Sequence, residues 1–397
     1  MKPVDMTDTD QHAVAKALRY ASRLIEFESS SYLSNKRLAK YLEQKLEKHD
    51  FTVEVLRFDD PTGTAKHCLV AKKGVGSGGM AWFGHMDTVP APHWKATGRG
   101  PFEPDVVDGR LYGRGSCDMK GPIGCFLAAA NSIPAESLRS PLYIVLTADE
   151  ETGFAGARRV VEESQYFREI VNQSAVGVIG EPTMLKVIHS HKGSIMLTAR
   201  SHGVAAHSST KIGRSSNWSM ISFLHELNEI RQDTDVDPKW NNRQFDPPGL
   251  SINVCLSDNS PALNITSSET VCQIYLRSMP GMEMEPLLDK IRDAAKKFGL
   301  DFEIPRMAPP MFTNPSSKFV ASALQLCGQA SAGTVAYGTD GAVMGEMADL
   351  IVCGPGSIDQ AHTTDEWISL EQIQQGTILF KKMIARWCHV TDEQENA

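Results

Sequence analysis

Four apolar runs of this sequence lead into residues that can ligate metals. MAWFGHMD delivers His85 and Asp87, PLYIVLTADEE delivers Glu150 and Glu151, AVGVIGE delivers Glu181, and ADLIVCGPG leads through a short loop to His362. Asp118 sits in a glycine-flanked loop, GRGSCDMKG. Several carboxylates gathered at one spot repel one another unless a cation lies among them. Mixed His and carboxylate donors suit zinc, with cobalt or manganese as alternatives. Five donors cannot close two tetrahedral sites unless one of them bridges, and a carboxylate has two oxygens with which to do so. Asp118, on its flexible loop, is the natural bridge. Two divalent ions held ~3.5–4 Å apart in this way polarise a carbonyl and activate water, which is hydrolytic chemistry.

Two neighbouring features refine that expectation. In an extended segment, residues two apart face the same side, so Asp87 can reach the imidazole of His85 and fix its tautomer. The adjacent Glu150 and Glu151 face opposite ways if extended. One of them can then bind metal while the other takes a proton from water, as amide hydrolysis requires. Singly, each signal has an ordinary alternative: a hydrogen-bonded loop histidine, a solvated acidic pair, glycines that only punctuate a turn. Their co-occurrence at four strand ends and one loop carries the reading.

The elements around these residues predict how they are brought together. Val14, Leu18, Ala21, Leu24 and Ile25, then Leu38, Tyr41, Leu42 and Leu46, recur at helical spacing over 12–27 and 35–48. Apolar strands then alternate with helices, including one from about Lys120 and a last one from about Leu370. That pattern predicts an α/β domain with a central, largely parallel sheet, at whose carboxyl edge ligands collect. Residues 187–306 differ. SIMLTARS, LSINVCLS and TVCQIYLR alternate like half-exposed strands, and two helical segments separate them, at Asn217–Ile230 and Pro286–Phe298. The resulting β-α-β-β-α-β order is the ferredoxin-like motif. The expected organisation is thus a discontinuous catalytic domain, 1–186 with 307–397, and an inserted domain, 187–306.

Bulk properties narrow the class. The chain has 397 residues, 41% hydrophobic, enough for two domains, and a net charge of −8. Nothing in that balance suggests nucleic acid or an anionic membrane. No stretch approaches the ~18 apolar residues of a membrane span. The polar N-terminus, MKPVDMTDTDQHAVAKAL, lacks the apolar core of a signal peptide. Eight cysteines form no CxxC pair, which predicts reduced thiols in a cytoplasmic protein.

GHMDTVP, GRGSCDMKG, DEETG, GEPT and AHTTDE, in this order, resemble the motifs of the co-catalytic zinc amidohydrolases, a family that includes acetylornithine deacetylase, succinyl-diaminopimelate desuccinylase, aminoacylase and glutamate carboxypeptidases. The resemblance covers nearly the whole chain. It implies that His85 and Glu181 hold one metal, Glu151 and His362 the other, and that Asp118 bridges. It also implies that Asp87 orients His85 and that Glu150 is the general base. His207, in GVAAHSS, matches a histidine that reaches the partner subunit's site and stabilises the oxyanion, which makes the inserted domain a lid and the interface of a homodimer. Arg277, in IYLRSMPG, matches an arginine that meets a substrate carboxylate, and Asn264, in ALNIT, a lid asparagine. ESSSYLSN, EPTMLKVIHSHKG and GPGSIDQAHTTDEWISLEQ lean toward the acetylornithine deacetylase branch. The implied activity is removal of the acyl group from a small N-acyl amino acid, N-acetylornithine first. A dipeptidase or carboxypeptidase on the same metals is the alternative, and a catalytically silent binding protein the remote one. KIGRSSNWS and SDNSPALN depart from the family's usual pattern, in the segment where substrate choice is made.

Overall fold

The computed structural model describes residues 7–389. The first six residues of the polar N-terminal stretch lie outside them. The chain forms two compact units. One contains the residues up to His189, Thr313–Gly333 and those from Thr339 onward; the other is Ser190–Phe312 with Thr334–Gly338.

In the first unit, strands Leu142–Thr147, Met80–His85, Val176–Pro182 and Leu350–Gly354 lie side by side in the order 142–147, 80–85, 176–182, 350–354, all parallel. Thr52–Asp59 and Ala65–Lys73 extend the sheet on one side in antiparallel sense, and Ile188–His191 does so on the other. The sheet is therefore parallel at its centre, as the alternation of strands and helices predicts, and antiparallel at its flanks. Met80–His85, Leu142–Thr147 and Leu350–Gly354 are buried at every residue. That is why they read as continuous apolar runs: helices cover both faces. His85 is the last residue of its strand and Glu181 the last but one, so the sheet itself delivers both to one edge.

The helix after Asp118, Lys120–Asn131, is buried except at its last residue. It packs between helices Asp8–Ile25 and Leu370–Trp387. Trp82 locks it to the sheet, its ring stacked on Phe126 at 4.5 Å and edge-on to Phe380 at 5.8 Å. Burying a ring of that size stabilises the fold by roughly 4–6 kcal/mol at about 25 cal/mol per Å². The same ring explains two motif glycines. A Cβ on Gly84 would lie 2.8 Å from Trp82, and one on Gly180 2.2 Å from it. The glycines preceding His85 and Glu181 are thus required by packing beneath the site.

The second unit is a four-stranded antiparallel sheet, ordered Ser251–Asp258, Glu269–Arg277, Ser194–His202, Asp301–Ala308. Helices Asn217–Val236 and Glu285–Lys297 supply Phe223, Leu227, Leu288 and Ile291 to a core shared with Leu197, Ile274 and Leu276 of the sheet. The element order is the expected β-α-β-β-α-β. The first helix runs six residues past its predicted end. Ser251–Asp258 is an edge strand, exposed along most of its length.

Candidate metal centre

At the carboxyl edge of the parallel strands, five of the expected ligands converge. Asp118 stands between the two imidazoles. Its Oδ1 lies 2.8 Å from Nε2 of His85 and its Oδ2 3.4 Å from Nε2 of His362. Glu181 lies 3.4 Å from the same nitrogen of His85, and Glu151 3.0 Å from that of His362. Donor atoms of His85, Asp118 and Glu151 all fall within 4.8 Å of one another. The five residues sort into two pairs, His85 with Glu181 and His362 with Glu151, joined by the two oxygens of one carboxylate.

Asp87 acts differently from the sequence expectation. Nδ1 of His85 faces the main-chain carbonyl of Asp87 at 2.9 Å, while the carboxylate is 3.7 Å away. The carbonyl fixes the tautomer and leaves Nε2 for the cluster. The Asp87 carboxylate instead accepts the amide N–H groups of Glu150 and Glu151, at 3.2 and 3.3 Å, and the hydroxyl of Ser31 at 2.8 Å. Nor is the acidic pair extended: Glu150–Gly153 is a turn, with Asp149 before it in the left-handed region at φ 57°.

The electrostatics show what such a cluster lacks by itself. Burial, then the charge of Asp118, pushes Glu181 up to about 8. Burial and the charges of Glu181 and Glu151 raise Glu150, and burial with Asp118 raises Glu151. Hydrogen bonds to Asp118 and Glu151 push His362 up to about 10. For His85 burial works against the charged form, but Glu181 and Asp118 outweigh it and raise it well above the usual histidine range. The crowded carboxyls resist ionising together, and the two imidazoles place positive charge between them. Divalent cations would supply that charge, and the nitrogen and carboxylate donors fit them.

The peptidase family M20/M25/M40 model matches residues 81–386. The chain belongs to this family. It is a metal-dependent hydrolase. An acetylornithine deacetylase of Myxococcus xanthus is 30% identical over 384 residues, covering 92% of this chain and 96% of its own length. The M20 metallo-carboxypeptidase Sso-CP2 of Sulfolobus solfataricus matches with a TM-score of 0.73 at 16% identity, covering 94% of this chain and 100% of its own. A dinuclear metal-binding M20 peptidase of Bacillus subtilis matches with a TM-score of 0.63 at 13% identity, covering 96% and 100%. At those identities the two structures show the shared fold alone.

One residue of this M20 site escaped sequence reasoning. Glu366, in the same AHTTDE segment as His362, is buried, and its carboxylate accepts the amide N–H groups of Gly115, Cys117 and Asp118 at 3.0, 2.8 and 3.0 Å. Arg114 donates to it at 2.7 Å. One short segment therefore supplies both a candidate ligand, His362, and the clamp on the loop that carries Asp118. A Glu four residues after a candidate ligand was the available signal, but nothing in the sequence says that residues 248 apart meet.

The remaining candidates lie in the second unit. His207 is exposed, and its Nδ1 takes the amide of Ser209 at 3.3 Å and its hydroxyl at 2.8 Å. An amide can only donate, so Nδ1 is the acceptor and Nε2 carries the proton. Asn264 lies beside it: its carbonyl accepts the Ser208 amide at 2.9 Å, and His207 bridges to Ile265. Arg277, half-buried over the ring of Tyr275 at 4.8 Å, ends the strand that starts at Glu269, just after Asn264. Eight steps of extended chain, roughly 26 Å at ~3.3 Å each, separate the strand's two ends. Within one chain, His207 with Asn264 and Arg277 do not form a single cluster.

Proposed function

We propose that this protein removes the acyl group from a small N-acylated amino acid, with N-acetylornithine the favoured substrate and zinc the favoured metal. The observation that carries the reading is the carboxylate of Asp118 between His85 and His362, with the buried Glu150 on the adjoining turn. His85, Glu181 and Asp118 would hold one ion, and His362, Glu151 and Asp118 the other. Bound there, the ions supply Lewis acidity toward the amide carbonyl and acidify water. Glu150 takes the proton of the attacking water and returns it to the leaving nitrogen. Asp87 keeps the Glu150 turn in place, and Glu366 the Asp118 loop. The deacetylase named above, aligned over nearly the full length of both chains, supports the acyl amino acid as substrate.

Arg277 is the candidate grip for the substrate's α-carboxylate, because a guanidinium offers it two parallel hydrogen bonds. Sites built to hydrogen-bond a group reject analogues that lack it. We expect N-acetylornithine or N-acetylmethionine to be hydrolysed well and their amides poorly, with Arg277→Ala erasing that preference. A panel of acyl amino acids, their amides and free-amine dipeptides at one pH tests this. Dipeptides winning by about an order of magnitude would replace the deacylase by a dipeptidase reading; amides matching the acids would remove Arg277 from the substrate.

The proposed assembly is a homodimer through the second unit. Its edge strand, Ser251–Asp258, exposes Val254 and Leu256, and the adjoining helix exposes Trp218 and Ile221. A second copy would cover them. It would also bring one chain's His207, whose Nε2–H is a ready oxyanion donor, to the other chain's site. We expect His207→Ala to fold, to bind metal, and to lose ~10²–10³ in turnover, the usual cost of one oxyanion donor. Mixing it with Glu150→Gln should restore part of the activity, since a hybrid dimer holds one site with both residues intact. No recovery under subunit exchange would confine His207 to its own chain. The proposed compartment is the cytoplasm, in keeping with eight free cysteines, seven of them buried. No helix among the described residues is long and apolar enough to cross a membrane.

A further inference from the structure

Lys66 lies on strand Ala65–Lys73, among the sheet's buried residues, with 1% of its surface exposed. Burying an ammonium is costly unless it is fully paired, and an apolar residue of similar volume is often at least as stabilising. This lysine is fully paired. Its Nζ donates to Asp149 Oδ1 at 2.7 Å, to the carbonyl of Leu33 at 3.1 Å and to the carbonyl of Ser31, with Asp60 at 3.7 Å. Those partners lead back to the metal centre. Ser31 donates its hydroxyl to Asp87, Asp87 accepts the amides of Glu150 and Glu151, and Asp149 precedes them in a left-handed conformation that few residues other than Gly, Asn and Asp adopt. The contacts close a ring: Lys66, Ser31, Asp87, the Glu150–Glu151 turn, Asp149, and Lys66 again.

We propose that Lys66 and Asp149 are a positioning pair, which holds the turn in the one conformation that directs Glu151 to His362 and Glu150 toward the reacting amide. The pair touches neither substrate nor metal and acts through the backbone of the turn. The inference rests on Glu150 being the general base. Removing either partner frees one side of the ring, and the turn loses the restraint that holds its conformation.

The test uses Lys66→Met, Asp149→Ala, the double variant and the conservative Asp149→Asn, in the full chain at saturating zinc. Misplacing a reacting group by about 1 Å costs up to ~10²-fold, so kcat should fall about 10- to 100-fold in each of the first two, with KM within about threefold. The double variant should be no slower than the worse single one, because both break the same ring. Asp149→Asn keeps an acceptor for Lys66 and should recover much of the loss. Independently of turnover, amide hydrogen exchange over residues 148–153 should quicken in the first two variants and not in Asp149→Asn. Should Lys66→Met fail to fold, Asp149→Ala carries the comparison alone. A lowered melting temperature with kcat within twofold and unchanged exchange at 148–153 would overturn the proposal, since the ion pair would then be structural only. Multiplying losses in the double variant would overturn it too. A failure of the base assignment shows elsewhere: Glu150→Gln would stay active, whatever Lys66→Met does to exchange in the turn.

Discussion

Exhaustive chelation is expected to abolish turnover, and zinc or cobalt to restore it at about two ions per chain. The geometry behind this is the crowding of Asp118, Glu151 and Glu181 around two imidazole nitrogens, with His85 2.8 Å from Asp118. Without cations, protons take their place. Glu181, raised to about 8, and His362, raised to about 10, hold protons at neutral pH that a metal must displace. A group whose pKa is raised keeps its proton below that value, so the sign is fixed: metal uptake releases protons, and it weakens as the pH falls below about 10 and further below about 8. Titrating metal into the apoprotein at several pH values, with the released protons counted, measures both. Full activity in protein from which no metal can be detected would sink the assignment of the centre.

Glu150→Gln should lower turnover by roughly 10²–10⁴, the usual contribution of a general base, and keep its metal. The amide preserves the shape of the side chain and the turn, whose backbone amides still meet Asp87, but it cannot accept a proton. Glu151 beside it is engaged with His362, at 3.0 Å, and its replacement should cost metal instead. Metal stoichiometry and kcat on the two variants separate the roles. If Glu150→Gln loses metal and Glu151→Gln keeps it, the two roles are exchanged.

The inventory of the centre was legible in the sequence because its chemistry is carried by strand ends. A fully buried parallel strand must read as an apolar run, and the first polar residues after it stand at the sheet's edge. His85, Glu150, Glu151 and Glu181 are all found that way, and the β-α-β-β-α-β order of the second unit follows from its alternating strands. Gly84 and Gly180 were visible as motif letters, but only Trp82 explains them, since the need for glycine comes from a ring packed against both. The conformation of the acidic pair is not legible in the sequence: an extended pair would face opposite ways, whereas Glu150–Gly153 forms a turn. A left-handed residue such as Asp149 is held by tertiary contacts with Lys66, and it leaves no periodic trace.

Local spacing fixes which residue types arrive at an edge of the sheet. It does not fix which atom of one meets which atom of another. The contact of Asp118 with both imidazoles spans 33 residues to His85 and 244 to His362; that of Glu366 with the Asp118 loop spans 248, and that of Lys66 with Asp149 spans 83. Such contacts depend on the packing of helix Lys120–Asn131 against the sheet and on the position of the His362 loop at its edge. The sequence therefore determined the candidate donor types and the class of reaction. The tertiary structure decided which atoms of Asp118 meet the two imidazoles, which backbone carbonyl sets the His85 tautomer, and which buried charges hold the loops, because each of those is a distance that only packing sets.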